Sequence, residues 1–182
     1  MKQFWKRYLD SFRKLRTEIF EPIGHFFVNK KISANMMTYA SLIFGVMAAL
    51  FLFKNFWFFF LFALLHFLSD GLDGVIARIR GPTLRGKYFD YLTDRAVTLL
   101  LLLKVWVYLD QWYVLIAIGL FLIVQSIHIL TKFEYPVLFT RSLLLLVLFL
   151  DLPILAYWIT GSASFYSLIK QGTYFVKKRK WI

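Results

Sequence analysis

Residues 69–95 read SDGLDGVIARIRGPTLRGKYFDYLTDR, and four carboxylates stand in this stretch of a chain that has only ten Asp and Glu among 182 residues. Two of them, Asp70 and Asp73, end one apolar segment. The other two, Asp90 and Asp94, begin the next. A carboxylate near the centre of a membrane-spanning helix is unfavourable by roughly 2.5–3.5 kcal/mol. Four of them together point to a positive partner, most simply divalent metal ions and the phosphates that such ions carry.

The composition predicts an integral membrane protein, because 60% of the residues are hydrophobic, against roughly 45–50% in soluble domains. A chain of this length predicts a single membrane-embedded domain, residues 1–182. The absence of cysteine excludes a Cys-ligated metal and a thiol nucleophile. The net charge of +12, without a recognisable nucleic-acid-binding motif, indicates membrane lipids as partners and no nucleic acid.

The hydrophobic pattern predicts an all-α fold of six transmembrane helices. An amphipathic interfacial helix precedes them in residues 1–30, and Pro22 and Gly24 interrupt its pattern. About 20 apolar residues cross the hydrocarbon layer, so the last two segments are short, and one long kinked helix is the alternative there. The six segments are approximately 34–53, 56–77, 88–109, 112–131, 137–150 and 152–169, and residues 170–182 form a basic tail.

The distribution of basic residues predicts the orientation in the membrane. With the N-terminus in the cytoplasm, six spans place the turns at 54–55 and 110–111 and Asp151 outside. The N-terminal segment, the 78–87 and 132–141 loops and the tail then hold nearly all the basic residues on the inside. We therefore expect a multi-pass protein of the cell membrane, with both termini and the carboxylates at the cytoplasmic face.

The spacing of the carboxylates predicts that they meet. Residues three or four apart on a helix share a face, so Asp70 and Asp73 point the same way, and so do Asp90 and Asp94. The short 78–87 connection makes the two helices antiparallel neighbours. Such oxygen ligands suit Mg²⁺ or Mn²⁺, two of which can clamp a phosphoryl centre.

The small and basic residues between the carboxylates extend this interpretation. Gly74 and Ala77 leave room for a ligand beside the helix backbone, and Arg78 and Arg85 can neutralise phosphate oxygens. The structural alternative is a buried ion-pair network in which Arg78, Arg85 and Arg95 neutralise the carboxylates. That network accounts for the charges but not for the glycines or the spacing.

The pattern D-x2-D-G-x2-A-R-x7-G-x3-D-x3-D, from Asp70 to Asp94, is similar to the signature of the CDP-alcohol phosphotransferase (CDP-alcohol phosphatidyltransferase) family. The resemblance implies a metal-dependent transferase of phospholipid biosynthesis. Such an enzyme moves a substituted phosphate group from a CDP-linked lipid to a small polar alcohol and releases CMP. Two divalent ions, Mg²⁺ or Mn²⁺, are the implied cofactors.

The resemblance also implies residue roles. Asp94 is the expected catalytic base, and Asn35 and Thr38 open the first span, where the family often has a preceding Pro and this chain has Ala34. An N-cap formed by Ser33 or Asn35 is the alternative role there. The implied metal ligands are Asp70, Asp73, Asp90 and Asp94, and the implied CDP-binding residues are Asn35, Thr38, Asp73, Gly74, Ala77, Arg78 and Gly86.

The acceptor is less constrained. Residues 16–38 and the loop after Arg80 look most like phosphatidylinositol-phosphate and archaetidylinositol-phosphate synthases, whose acceptor already carries a phosphate. Inositol phosphate is therefore the favoured acceptor, bound by Arg85, Lys132 and Arg141. That branch usually has more arginines around the fourth and fifth spans, so glycerol phosphate and serine are alternatives, and membrane anchoring explains Lys132 and Arg141 equally well.

Two other functions and two smaller features stay open. A divalent-cation transporter would need polar residues along a path across the membrane, and a non-catalytic CDP-lipid-binding scaffold would bind without turnover. His66, one turn before Asp70, is interpreted first as a hydrogen-bonded core histidine and second as a residue that supports the metal ligands. Gly45-x3-Ala49 indicates close helix packing or a dimer face, and we expect a homodimer.

Overall fold

The computed structural model describes residues 20–131 and 140–179, with side chains as far as residue 176. Both ranges are α-helical and contain no strand, which confirms the all-α prediction for the described chain. Residues 1–19, most of the predicted interfacial helix, lie outside them, and residues 20–29 are helical (α1). The later helices are α2 (Ala34–Phe51), α3 (Phe56–Arg80), α4 (Leu84–Leu109), α5 (Tyr113–Leu130), α6 (Thr140–Phe149) and α7 (Pro153–Arg179).

The chain divides into two compact units, and the first contains residues 1–51 and 56–94. Its centre is an antiparallel pair of helices, α2 and α3. The ring of Phe51 lies 5.0 Å from that of Phe58, and the ring of Phe44 lies 6.4 Å from that of Phe62. Residues near the end of α2 therefore contact residues near the start of α3, as expected for antiparallel helices joined by a short turn.

Small residues line the buried face of α2. Gly45, Ala48 and Ala49 are all buried in the structure, which agrees with the close-packing interpretation of the Gly45-x3-Ala49 pair. Helices with small residues at their interface approach closely. The dimer-face interpretation gains no support from this burial.

Helix α1 packs on α3 through a glycine. A Cβ added at Gly24 would lie 2.7 Å from Cγ1 of Val75, a distance that real Cβ atoms essentially never show. Arg80 Nη2 also donates to a main-chain carbonyl of α1 at 3.2 Å. The expected interruption at Pro22 and Gly24 is wrong, because residues 20–29 are continuously helical. The lack of a side chain at Gly24 lets the helix dock on α3, and that packing outweighs its low helix propensity.

A three-residue connection, 81–83, joins α3 to α4, shorter than the predicted 78–87 loop because both helices extend into it. Gly81 ends α3 with φ 93°, in the left-handed region that a side chain disfavours. Thr83 caps α4, since its Oγ1 accepts a hydrogen bond of 3.0 Å from the amide of Gly86. The connection thus sets the end of α3 beside the start of α4.

The second unit contains residues 52–55 and 95–182. Within it α7 packs on α5, where a Cβ added at Gly161 would lie 3.3 Å from Cβ of Ala117, and Gln171 Nε2 donates to the carbonyl of Val124 at 3.3 Å. Asp151 has φ 56° between α6 and α7. The last two apolar segments are therefore separate helices with a tight turn, as predicted, and not one kinked helix.

Three described helices are long and apolar enough to cross a membrane, namely α2, α3 and α5. The helices α4 and α7 are 26 and 27 residues long and include several charged residues, while α6 has 10 residues. Helix α7 continues to Arg179, beyond the predicted end of the span at residue 169. Six spans therefore stay a prediction.

Candidate metal and nucleotide site

Three carboxylates converge on the parts of α3 and α4 that lie two to three turns from the 81–83 connection. Asp70, Asp90 and Asp94 each offer one oxygen atom, and these atoms all lie within 4.8 Å of one another. All three side chains are half-buried. Asp90 and Asp94 are one turn apart on α4 and Asp70 stands on α3, so two helices joined by a short connection supply the group.

This group fits a divalent cation. Mg²⁺ holds its oxygen ligands at about 2.0–2.1 Å in octahedral geometry, so ligand oxygens around one ion are about 2.9 to 4.2 Å apart. The 4.8 Å limit includes that range. Two carboxylate charges 4.8 Å apart repel each other by about 3–4 kcal/mol at an effective dielectric constant of 20. A bound Mg²⁺ or Mn²⁺ would replace this repulsion with attraction.

Asp73 is placed differently from the other three. It is 4% exposed, and its Oδ2 accepts a hydrogen bond of 2.8 Å from Oγ1 of Thr38, which is 3% exposed. The same hydroxyl lies 3.1 Å from the carbonyl of Ala34. The Thr38 hydroxyl has one hydrogen to donate, and a carboxylate is a stronger acceptor than a main-chain carbonyl, so the hydrogen goes to Asp73. Thr38 therefore orients Asp73 and ties α2 to α3.

The first turns of α2 and α4 lie side by side. A Cβ added at Gly86 would lie 3.4 Å from Oδ1 of Asn35 and 3.0 Å from Oγ1 of Thr83. Ser33 is the N-cap of α2, since its Oγ accepts from the amide of Met36 at 3.2 Å. The Asn35 side chain is thus not the cap, and it stands exposed beside Gly86. Positive ends of two helix dipoles meet here, an arrangement that favours an anion.

Small and basic residues continue along α3. Gly74 and Ala77 are half-buried and Arg78 is exposed. A Cβ added at Gly74 would lie 3.9 Å from Nη1 of Arg78, so the guanidinium folds back over the glycine. Asp70 is one turn before Gly74 on the same face. One face of α3 therefore offers a carboxylate, an open surface and a positive charge in succession.

The predicted acceptor residues lie in different parts of the chain. Arg85 is exposed in the first turn of α4, whereas Arg141 is 9% exposed and belongs to α6 in the second unit. Lys132 lies outside the described residues. Their role toward an acceptor stays a prediction.

The sequence reasoning missed two residues near the site, Thr83 and Ser41, and it named His66 without identifying its partner. Thr83 packs its hydroxyl against Gly86, and Ser41 and His66 form a buried contact, with Nδ1 of His66 2.8 Å from the carbonyl oxygen of Ser41. Helical spacing held a signal for the contact between Ser41 and His66, since Ser41 follows Thr38 by three positions and His66 precedes Asp70 by four. The cap at Thr83 follows from the Gly-Pro-Thr turn.

Long apolar helices and a group of carboxylates that could hold a cation define a helical membrane protein with a candidate metal site. The model of the CDP-alcohol phosphatidyltransferase family matches residues 31–167, about three quarters of the 182-residue chain. The chain belongs to this family, whose members transfer phosphatidyl groups from a CDP-alcohol to an alcohol acceptor and generally use divalent metals. A search of curated proteins found no match. The family resemblance of the carboxylate pattern is thereby confirmed.

Proposed function

We propose that the protein is a membrane enzyme that moves a phosphatidyl-type group from a CDP-linked lipid to a small polar alcohol, releases CMP and uses two divalent cations. The observation that carries this proposal is the group of oxygens from Asp70, Asp90 and Asp94 within 4.8 Å of one another, on the two helices that hold the family signature. Family membership supplies the donor class and the type of reaction.

Asp70, Asp73, Asp90 and Asp94 would hold the cations, Mg²⁺ or Mn²⁺. When bound, the cations supply positive charge that offsets the charge of the diphosphate. Thr38 holds the Asp73 carboxylate in one orientation by its 2.8 Å hydrogen bond. A fixed orientation matters because catalysis of phosphoryl-type transfer is mostly positioning and charge stabilisation.

The CDP group would bind across the first turns of α2 and α4 and the open face of α3. Asn35 offers an exposed amide beside Gly86, and the helix dipoles there favour phosphate. On α3, Gly74 and Ala77 leave the backbone accessible, and the exposed Arg78 can bind a phosphate oxygen.

The chemical step needs one base. The acceptor hydroxyl oxygen forms a bond to the phosphorus that carries the lipid, and the bond from that phosphorus to the CMP oxygen breaks. CMP leaves with the bonding electrons, and the hydroxyl proton passes to the Asp94 carboxylate. Asp94 is suited to this role because it is half-buried within the carboxylate group and keeps some access to solvent.

The protein would form one domain of six spans in the cell membrane, as a homodimer. The N-terminal interfacial helix, both termini and the site would lie at the cytoplasmic face. Three apolar helices and the positive charge of the predicted inner segments support this topology. Inositol phosphate is the proposed acceptor, for which Arg85, Lys132 and Arg141 would supply positive charge, and glycerol phosphate and serine are the alternatives.

Release of CMP by the purified protein tests the proposal. Ester- and ether-linked CDP-lipids are supplied in turn with Mg²⁺ or Mn²⁺ and with inositol phosphate, glycerol phosphate or serine. We expect metal-dependent CMP release with one acceptor. Asp94→Asn should nearly abolish it, whereas Asp151→Asn, an exposed aspartate in a left-handed turn that Asn also tolerates, should not.

Failure to release CMP with any donor, metal or acceptor would refute the proposal. Binding of CDP-lipid without turnover would instead indicate a scaffold, and metal-dependent ion flux through proteoliposomes a transporter. If Asp70→Asn leaves the metal affinity unchanged, the ligand assignment is wrong even where CMP is released.

A further inference from the structure

We propose that Ser41 and His66 are positioning residues, which hold the aspartate-bearing turns of α3 against α2 and thereby set the affinity of the site for its cation. This inference rests on the proposed metal site and deepens it. Neither residue belongs to the family signature in residues 70–94. Both are almost fully buried, at 3% and 1% exposure.

The two side chains bond each other's main chain. Nδ1 of His66 lies 2.8 Å from the carbonyl oxygen of Ser41, and because a carbonyl only accepts, this nitrogen carries the proton. In return, the Ser41 hydroxyl donates to the carbonyl of His66 at 3.3 Å. The hydroxyl oxygen also lies 2.9 Å from the same Nδ1. The result is a reciprocal clasp between α2 and α3.

The clasp acts on the turn that carries a proposed metal ligand. In an α-helix the amide of residue i bonds the carbonyl of residue i−4, so the His66 carbonyl is the acceptor for the Asp70 amide. The Ser41 hydroxyl therefore reaches the carbonyl at the base of the Asp70 turn. One turn earlier on α2, Thr38 donates to Asp73. Successive turns of α2 thus hold the two aspartate-bearing turns of α3.

Directional bonds are needed here because apolar packing alone tolerates rotation. Elsewhere the α2–α3 contact includes small residues and phenylalanine rings. A rotation of α3 by about 20° would move its Cα atoms, about 2.3 Å from the axis, by about 0.8 Å, and a carboxylate oxygen farther. Functional groups must be held within about 0.5 Å of their working geometry.

The test measures the binding of Mn²⁺ to the purified protein without substrate. Calorimetry or the electron paramagnetic resonance signal of free Mn²⁺ gives the Kd. Ser41→Ala removes the hydroxyl, and His66→Leu removes the donor. In His66→Asn the amide nitrogen takes the place of Nδ1. Phe59→Leu is the matched control, since Phe59 is buried on α3 at 2% exposure outside the clasp.

We expect Ser41→Ala and His66→Leu each to raise the Kd for Mn²⁺ by about tenfold, the low end of effects for residues that orient metal ligands. The kcat for CMP release should fall in both, with little change in the KM for the acceptor. His66→Asn should recover to within about threefold of wild type because it keeps the donor. Phe59→Leu should lower Tm and leave the Kd for Mn²⁺ near the wild-type value.

Unchanged Mn²⁺ affinity in Ser41→Ala and His66→Leu would overturn the inference, and so would changes no larger than in Phe59→Leu. Ser41→Ala is a small change at a helical position and keeps the test valid if His66→Leu does not fold. If the variants lose Mn²⁺ affinity but the wild type releases no CMP, the positioning role stands and the proposed reaction fails. If the wild type releases CMP and the Mn²⁺ affinities of the variants are unchanged, the proposed reaction stands and the positioning role fails.

Discussion

Replacing Thr38 by valine would remove one hydroxyl from the candidate site and keep the shape of the side chain. That hydroxyl donates to Oδ2 of Asp73 at 2.8 Å, and both residues are almost fully buried. Water has little access to take its place. The change therefore isolates the contribution of one directed hydrogen bond to the geometry of the site.

The expected loss follows from the charge of the acceptor. A hydrogen bond to a charged group contributes about 1.5–3 kcal/mol. At about 1.4 kcal/mol for each factor of ten, a loss of about 2 kcal/mol lowers kcat/KM for CMP release by about 30-fold. Thr38→Ser keeps the hydroxyl and should stay within about threefold of wild type, because only a methyl group is lost.

The assay is CMP release at saturating metal, with the affinity for Mn²⁺ measured separately. Thr160→Val is the matched control: Thr160 is fully buried in the second unit, and its hydroxyl donates to the carbonyl of Ala156 in its own helix at 2.9 Å. It should leave kcat/KM unchanged. Wild-type kcat/KM in Thr38→Val, or equal losses in Thr38→Val and Thr38→Ser, would refute the reasoning. A higher KM for the CDP-lipid with unchanged Mn²⁺ affinity would show that Thr38 acts on the nucleotide instead.

Gly86→Ala should lower the rate of CMP release about tenfold, because the new Cβ would lie 3.0 Å from the Thr83 hydroxyl that caps α4. Gly119→Ala is the control and should leave the rate unchanged, because a Cβ there would have nothing within 4 Å. Gly24→Ala should lower the free energy of unfolding, measured by thermal unfolding in detergent, by about 1–3 kcal/mol. Adding Val75→Ala should recover part of this loss, because it removes the Val75 Cγ1 atom that would lie 2.7 Å from the new Cβ. If the double variant recovers nothing, the packing argument is wrong. Gln171→Leu should change the free energy of unfolding by less than about 1 kcal/mol, because the lost Nε2 hydrogen bond to Val124 is offset by removal of the buried Oε1. That oxygen has no hydrogen-bond partner in the described part of the chain. A large loss of Tm would contradict this.

Local chain geometry made part of the structure predictable. The signature falls on two consecutive helices joined by a short connection, so helical spacing and that connection were enough to expect Asp70, Asp90 and Asp94 close together. Helix limits were harder to predict, because hydropathy follows the hydrocarbon layer and not the backbone hydrogen bonds. Helix α3 continues through charged residues to Arg80, and α4 begins at Leu84.

The side-chain contacts between α2 and α3 could not be predicted from the sequence. The bonds from Thr38 to Asp73 and between Ser41 and His66 depend on the register of α2 against α3, which close packing sets over many residues. Gly24 illustrates the same difficulty, because its role follows from an approach to α3 that no local pattern encodes. Propensity alone indicated a helix break there.

The short connection at 81–83 also bears on how the protein is made. The contacts of the candidate site given above join residues between Ser33 and Asp94, all within the first compact unit. Synthesis proceeds from the N-terminus, and folding units generally form in that order. The aspartates are therefore all incorporated into the chain before the helices α5, α6 and α7 are made. Substitutions in those later helices can thus change the proposed acceptor residue Arg141 on α6 without altering any of the four aspartates.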